Sequence, residues 1–435
     1  MNPSFHIIDF VIVGIYAILL VGVGLWVSRT KKGHTKTAED YFLASKALPW
    51  WAIGSSLIAA NISAEQFIGM SGSGFAGGLA IASYEFMAAL TLIIVGKFFL
   101  PIFIKQGIYT IPEFVEKRFS TNLKTILAVF WIALFVFVNL TSVLFLGGKA
   151  IDTIVGVGDG SMIVPAIIAL AIFAAAYSLY GGLSAVAWTD VIQVALLVIG
   201  GIITTLIALH YVTPDGGILN GISHIADAAS DKFDMVLSRD NKEFNNLPGI
   251  YVLIGGLWVA NLYYWGFNQY IIQRTLAAKS LTEAQRGIAF AAFLKMLIPF
   301  IVVIPGIVAW VMYSEDLYGA RSAFEIAGST ALNNDNAYPW LISTFIPVGV
   351  KGLVLAALAA AIVSSLASML NSTSTIFTMD IYKPYINREA SQTKLVNVGR
   401  LTAGIALIIA VCHPQMDMIS ASITSPARAG VKLHF

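Results

Sequence analysis

Charge is scarce in this chain of 435 residues. Asp, Glu, Lys and Arg make up 11% of it, against 57% hydrophobic residues and a mean hydropathy of +0.80. A soluble domain carries about 25% charged residues, so a water-exposed globule is excluded. The single cysteine, Cys412, excludes an intramolecular disulfide framework and any multi-cysteine metal site. The six His form no close pair of the zinc-binding kind. There is no basic run and no aromatic RNA-binding motif, and a net charge of +2 gives nucleic acid no support as a partner. No nucleophile–base arrangement, phosphate loop or haem-like His spacing stands out, so nothing points to an enzyme. The N-terminus also lacks a basic n-region. Phe10 to Val27 instead runs 18 residues without a charge, which reads as a first spanning helix and not a cleaved signal.

What the chain has in quantity is apolar runs of about 20 residues, the length that crosses a bilayer. Nine are expected, at 8–28, 50–71, 79–104, 125–150, 162–180, 188–213, 249–273, 287–313 and 350–379; a tenth, from about 401, stops short. The composition therefore predicts an all-α polytopic membrane protein. Lys and Arg in the loops set its direction. One set of alternate loops holds Arg29, Lys31, Lys32, Lys36, Lys46, Lys105, Lys117, Arg118, Lys124, Arg274, Lys279, Arg286, Lys383, Arg388, Lys394 and Arg400. The opposite set holds Lys149, Lys232, Arg239, Lys242 and Arg321, with Lys351 at its edge. This bias puts the N-terminus outside and the 28–49 loop inside. The acidic 214–247 loop then falls outside, as a small surface lid.

Segments 50–71 and 249–273 consequently run in opposite directions, and each begins a run of helices. Each is interrupted near its centre by Asn with small or aromatic neighbours: Asn61 in one, Asn261-Leu262-Tyr263-Tyr264-Trp265-Gly266 in the other. Broken first helices in two inverted halves are the sequence pointer to a secondary transporter with its site at mid-membrane. The halves share no obvious sequence identity, so the symmetry is topological. It divides the chain into a peripheral helix and loop (1–49), a first half (50–213), an outer loop (214–248), a second half (249–412) and a tail (413–435).

Three constellations carry chemistry. In Ser56–Phe67 a broken helix frees carbonyls of Ala59 and its neighbours, and neutral oxygens suit a releasable hard cation; the small residues equally suit close helix packing. In Ala359–Ser368 the hydroxyls of Ser364, Ser365 and Ser368 stand on an Ala-rich helix. Such hydroxyls usually bond the carbonyl four residues back or a neighbouring helix, and a hydroxyl site is the second reading. Finally, Glu85 and Lys295 lie inside spans, Lys295 about 12 Å deep at 1.5 Å per residue, and neither is tolerated in lipid. Paired across a cavity they neutralise each other. With Gln66 and Asn261 they offer the donors and acceptors that a polyhydroxyl ligand needs, and Tyr84, Tyr263, Tyr264 and Trp265 add aromatic faces. The alternative is a structural buried ion pair. Tyr177–Ala185, with its Gly181-Gly182 pair, reads by itself as a tight inner hairpin.

Tyr177-Ser178-Leu179-Tyr180-Gly181-Gly182-Leu183-Ser184-Ala185 fits a signature of the sodium:solute symporter family, and the runs 56–74, 257–279 and 356–383 resemble its members closely. The resemblance covers about residues 8–412. It implies a LeuT-like fold, ten core helices in two inverted halves, and symport of sodium with galactose or a similar monosaccharide across a bacterial inner membrane. It implies sodium ligands in the carbonyls of Ala59, Ile62 and Ala361 and the hydroxyls of Ser364 and Ser365. Sugar is then held by Gln66, Glu85, Asn261 and Lys295. Tyr264 is the inner gate, Met70 and Tyr84 lie on the outer side, Asn61 links the two sites, and Asp190 lies on the sodium exit path. Ala88 replaces a sugar-contacting Ser, a loss of about 0.5–1.5 kcal/mol. The tenth core helix has no counterpart: the tail from His413 is polar and too short to cross, as in a truncated or frameshifted chain. Other readings are a symporter for proline, pantothenate or another small solute, and a non-transporting sensor.

Overall fold

The computed structural model describes residues 5–29, 33–63, 66–156, 158–247, 249–326, 329 and 331–424, with side chains to 413. Among them the chain is helical, with no strand. Eight helical runs are long and apolar enough to cross a membrane. The two that fail this length test are the two expected to be broken. The first is α2 (Trp50–Asn61), after which Ile62 is extended; the chain resumes through a wide turn, Gln66–Met70, into α3 (Ser71–Gly77). The second lies much further along the chain, as a pair of short helices described below.

Before α2 stands α1 (Ile7–Val27), whose Asp9 carboxylate accepts the N–H groups of Gly349 and Gly352 and so fixes the start of a much later helix. After α3 come α4 (Ala82–Ile94), α5 (Thr121–Val155), α6 (Ile163–Gly181) and α7 (Leu183–Tyr211). Gly182 makes the turn between α6 and α7 at φ 66, where a Cβ would meet the Tyr41 carbonyl. That is the tight hairpin read from Gly181-Gly182. The 214–247 loop carries a short helix, α8 (Ile218–Ala228). Its Lys232 reaches the Ala76 carbonyl at the end of α3 (2.5 Å) and lies over the Trp310 ring, so the loop caps the bundle at that end.

The second broken helix is α9 (Gly256–Leu262), a wide turn Tyr263–Phe267, extended Asn268 and α10 (Gln269–Leu276). The interruption thus falls after the expected Asn261. Asn261 bonds its own helix at the Leu257 carbonyl (3.0 Å) and stays helical, whereas Asn268 breaks the chain and caps α10. The Leu48 N–H donates to the Ala277 carbonyl and the Lys279 N–H to the Leu48 carbonyl. The start of α2 therefore meets the end of α10, and the two broken helices run antiparallel.

Three long helices complete the bundle: α11 (Leu281–Ser314), α12 (Val350–Ile376) and α13 (Gln392–Thr424). The helix Val350–Ile376 is almost wholly buried and forms the centre; its Ala and Ser positions let neighbours approach it closely. The last helix corrects the expectation that a tenth span stops short. Gln392–His413 is long and apolar enough to cross, and the helix continues to Thr424. Lys394 and Arg400 hide it from a hydropathy reading, but they sit in its first turns, where Lys394 is exposed and Arg400 reaches the Tyr180 carbonyl. A second correction concerns the loop cations. Arg274 is fully buried in α10, and Lys124 is buried against Glu116 (2.7 Å). Without them the loop bias keeps its direction.

Close backbone approach sets α11 against α3. A Cβ on Gly306 would lie 2.1 Å from the Ser71 carbonyl. Gly306→Ala is expected to lower stability by about 1–3 kcal/mol, read as a fall in melting temperature in detergent. Gly404→Ala, with nothing within 4 Å, serves as the control and should leave it unchanged.

Candidate functional site

The two breaks meet. The Asn61 side-chain amide, on the last residue of α2, donates to the Tyr264 hydroxyl (3.0 Å) in the wide turn of the second broken helix. Tyr270 donates to the same hydroxyl (3.0 Å), and the Trp265 ring stands edge-on to that of Tyr264. Tyr264 is therefore half-buried and pinned from both broken helices.

Beside it lies a buried polar chain. Lys295 on α11 donates to Glu85 Oε2 (2.5 Å), and Gln66 donates to Glu85 Oε1 (2.8 Å). Lys295 also faces the Trp265 ring at 5.4 Å, and Trp265 Nε1 donates to Asn261 Oδ1 (3.2 Å). Glu85 and Lys295 are 3% and 1% exposed, so the charges are compensated by each other and by Gln66. The four polar residues singled out in the sequence thus form one network, with Trp265 as the link. Pro299 has no N–H to give to the Lys295 carbonyl, which adds an acceptor on the same turn of α11. Met70, at the end of the wide turn, is buried. Tyr84 stands apart: it is more than a third exposed and makes no hydrogen bond among the described residues. A cavity of about 600 Å³ opens beside Ile68 and Gly69, with Lys149, Thr153, Asn333 and Asp335 on its polar wall.

At the other side of the first break, the Ser365 hydroxyl lies 3.2 Å from the Ala60 carbonyl and 3.4 Å from that of Ile62. Ala59 and Ala361 are buried in the same two helices. Ser364 points elsewhere: its hydroxyl donates to Asp190 Oδ1 (2.5 Å). A hydroxyl that donates its proton to a carboxylate keeps its lone pairs for a cation. The oxygens here are neutral, apart from Asp190 one contact away.

Arg274 organises that neighbourhood and was missed, because a cation just past a span reads as a loop residue. Its Nε donates to the Ser56 hydroxyl (2.7 Å) and carbonyl (3.1 Å), and its terminal nitrogens to Tyr270 and Ser368. Ser56 in turn donates to Asp190 Oδ2 (2.5 Å), with Arg274 3.8 Å from the same oxygen. One buried guanidinium thereby ties α2, α7, α10 and α12 together. The sequence signal for it is the run of consecutive polar residues Gln273, Arg274 and Thr275 that follows the second break.

A helical membrane bundle in which two antiparallel broken helices meet at a buried polar network is a secondary transporter. Residues 41–429 match the sodium:solute symporter family, past the expected end of resemblance near Cys412, and the chain belongs to that family. It is 65% identical over 406 residues to the sodium/glucose cotransporter of Vibrio parahaemolyticus, covering 93% of this chain and 74% of that one. It is 33% identical over 428 residues to the sodium/myo-inositol cotransporter of Homo sapiens, covering 93% and 58%. The chain thus spans about three-quarters of the bacterial relative and less than two-thirds of the human one. A solved Na+-coupled sialic acid symporter, substrate-bound and outward-open, superposes with a TM-score of 0.79 at 26% identity, covering 96% of this chain and 84% of that one. The fold is LeuT-like.

Proposed function

We propose that this chain is a sodium-coupled symporter for a hexose, galactose or glucose, working by alternating access in a bacterial inner membrane with its N-terminus outside. The observation that carries this reading is the Gln66–Glu85–Lys295 network beside the Asn61–Tyr264 contact. Such a set of buried donors and acceptors suits several hydroxyls at once, and the Tyr264 ring supplies a face for the sugar and a stopper below it. Gln66, Glu85, Asn261 and Lys295 are the sugar-binding residues; Met70 and Tyr84 belong to the outer side. Sodium is held by the Ala59, Ile62 and Ala361 carbonyls with Ser364 and Ser365, and Asp190 receives it on the way out. Asn61 couples the two, since it ends the helix that offers the carbonyls and holds the gate.

One cation entering across about 100 mV supplies roughly 2.3 kcal/mol, which is about fifty-fold accumulation. Proteoliposomes test the reading: labelled galactose should accumulate only with an inward sodium gradient, and uptake indifferent to sodium would sink it. Ser365→Ala is expected to raise the sodium concentration for half-maximal uptake about ten-fold or more, since a hydrogen-bonding group to a charge is worth about 1.5–3 kcal/mol. Its melting temperature without sodium should stay near the parent's. The polyol reading has its own support in the sodium/myo-inositol name of the human relative, and competition of galactose uptake by myo-inositol separates the two.

A further inference from the structure

A second cavity, of about 350 Å³, lies far from these sites, where α1 ends. Val27, Ser28, Arg29, His34, Lys36, Asp40, Ser45 and Ser184 line it, and its charge is uneven. Asp40, the only carboxylate on its wall among the described residues, is already engaged: His34 lies 2.7 Å away, and Ser45 (2.6 Å) and Thr37 (2.8 Å) donate to it. Those bonds hold the Asp40 carboxyl well below the usual range, so it stays a satisfied anion. Arg29 pairs with no carboxylate among the described residues, and it is exposed. Among the described residues Lys36 donates to the carbonyls of Tyr180 and Gly181 (3.2 Å each) and to no carboxylate. Arg400 crowds it from behind, over the same Tyr41 and Tyr180 rings. Burial, helped by Arg400, pushes the Lys36 ammonium down to about 8. Among the described residues Arg29 thus has no paired carboxylate, and Lys36 has nearby only Asp40, whose oxygens are already engaged.

The surface leading to the cavity is apolar. Val11, Ile15, Ile18 and Leu25 make an exposed stripe along α1, and Trp26, 68% exposed, closes it at the level of the cavity. Aromatic rings of this kind collect at the membrane–water boundary, and basic pockets between spanning helices at that boundary suit lipid headgroups. We propose that this cavity binds the headgroup of an anionic phospholipid, its phosphate between Arg29 and Lys36 and its acyl chains along the exposed stripe of α1. A zwitterionic lipid would leave the surplus cations uncompensated. A soluble anion would make no use of the stripe. The proposal rests on the chain spanning a bilayer and not on what it transports.

The full chain, reconstituted with brominated lipids, tests it through quenching of Trp26, taken as the difference from Trp26→Phe. Brominated phosphatidylglycerol should bind roughly twenty-five-fold better than brominated phosphatidylcholine, about five-fold for each of the two cations. Arg29→Gln should remove about five-fold of that preference, and Arg29→Gln with Lys36→Gln nearly all of it. Arg29 is exposed and has no side-chain partner among the described residues, so its variant reads the site even where the double variant folds poorly. Equal quenching by the two lipids, or a preference untouched by Arg29→Gln, overturns the proposal. So does loss of the preference when inorganic phosphate is added at matched ionic strength, because that is the behaviour of a free-anion site.

Discussion

Lys295→Met is expected to destabilise the folded protein by about 3–5 kcal/mol and to abolish sugar binding. The substitution keeps the volume and removes the charge. Glu85 is 3% exposed, and among the described residues only Gln66 would then remain to stabilise its anion. An isolated buried carboxylate is too costly to persist, so the group would take up a proton or the site would open to water. Removing both charges together, as Glu85→Leu with Lys295→Met, should recover most of the lost stability, since an apolar pair of similar volume often equals or exceeds a buried ion pair. Binding should not recover, because the donors and acceptors are gone. Melting temperature in detergent and galactose binding, measured on all three proteins, separate scaffold from site. A stable double variant that still binds galactose at parental affinity would make the pair structural and end its role as a sugar ligand.

That pairing was legible in the sequence for a physical reason: a charge inside a span needs a partner, and only Glu85 and Lys295 lay deep enough to need each other. The spans were legible because length in hydrocarbon is a strict constraint, and the break at Asn61 because polar residues in an apolar run must face something. Other features were hidden by the same logic. Arg274 follows an apolar run directly, and hydropathy cannot tell a loop cation from one folded back under the bundle. Asn261 looked like the second break since Asn is a poor helix former, yet its side chain bonds the Leu257 carbonyl and keeps the helix going. Asn268, six residues from Leu262, breaks the chain by capping α10. Ser364 and Ser365 are adjacent in sequence and looked like one pair. In a helix adjacent residues point about 100° apart, so one meets Asp190 on α7 and the other the end of α2. The final helix was lost because two cations interrupt its first turns.

Arg274→Met is the second substitution expected to cost about 3–5 kcal/mol, for a different reason. Arg274 is wholly buried and bonds Ser56, Tyr270 and Ser368, on three helices. Its charge faces Asp190, itself fully buried and holding the Ser56 and Ser364 hydroxyls at 2.5 Å. Met fills the space but leaves that carboxylate without a cation, in direct contact with Ser364, one of the proposed sodium ligands. Arg274→Lys should not rescue it, since one ammonium cannot replace a fork that reaches several oxygens at fixed angles. Neutralising both, as Arg274→Met with Asp190→Asn, should restore much of the stability. Sodium supplies the discriminating measurement. A cation that binds only the folded state stabilises it by RT ln(1 + [L]/Kd). The unpaired Asp190 of Arg274→Met should draw sodium more strongly, so the gain in melting temperature from choline to sodium should exceed the parent's, and that excess should vanish in the double variant. An equal gain in parent and Arg274→Met would mean that Asp190 does not feel the ion, and its place on the sodium path would fall. The position of Ser364 argues for the first outcome, because its hydroxyl touches Asp190 while Ser365, the next residue on α12, touches the carbonyls at the end of α2.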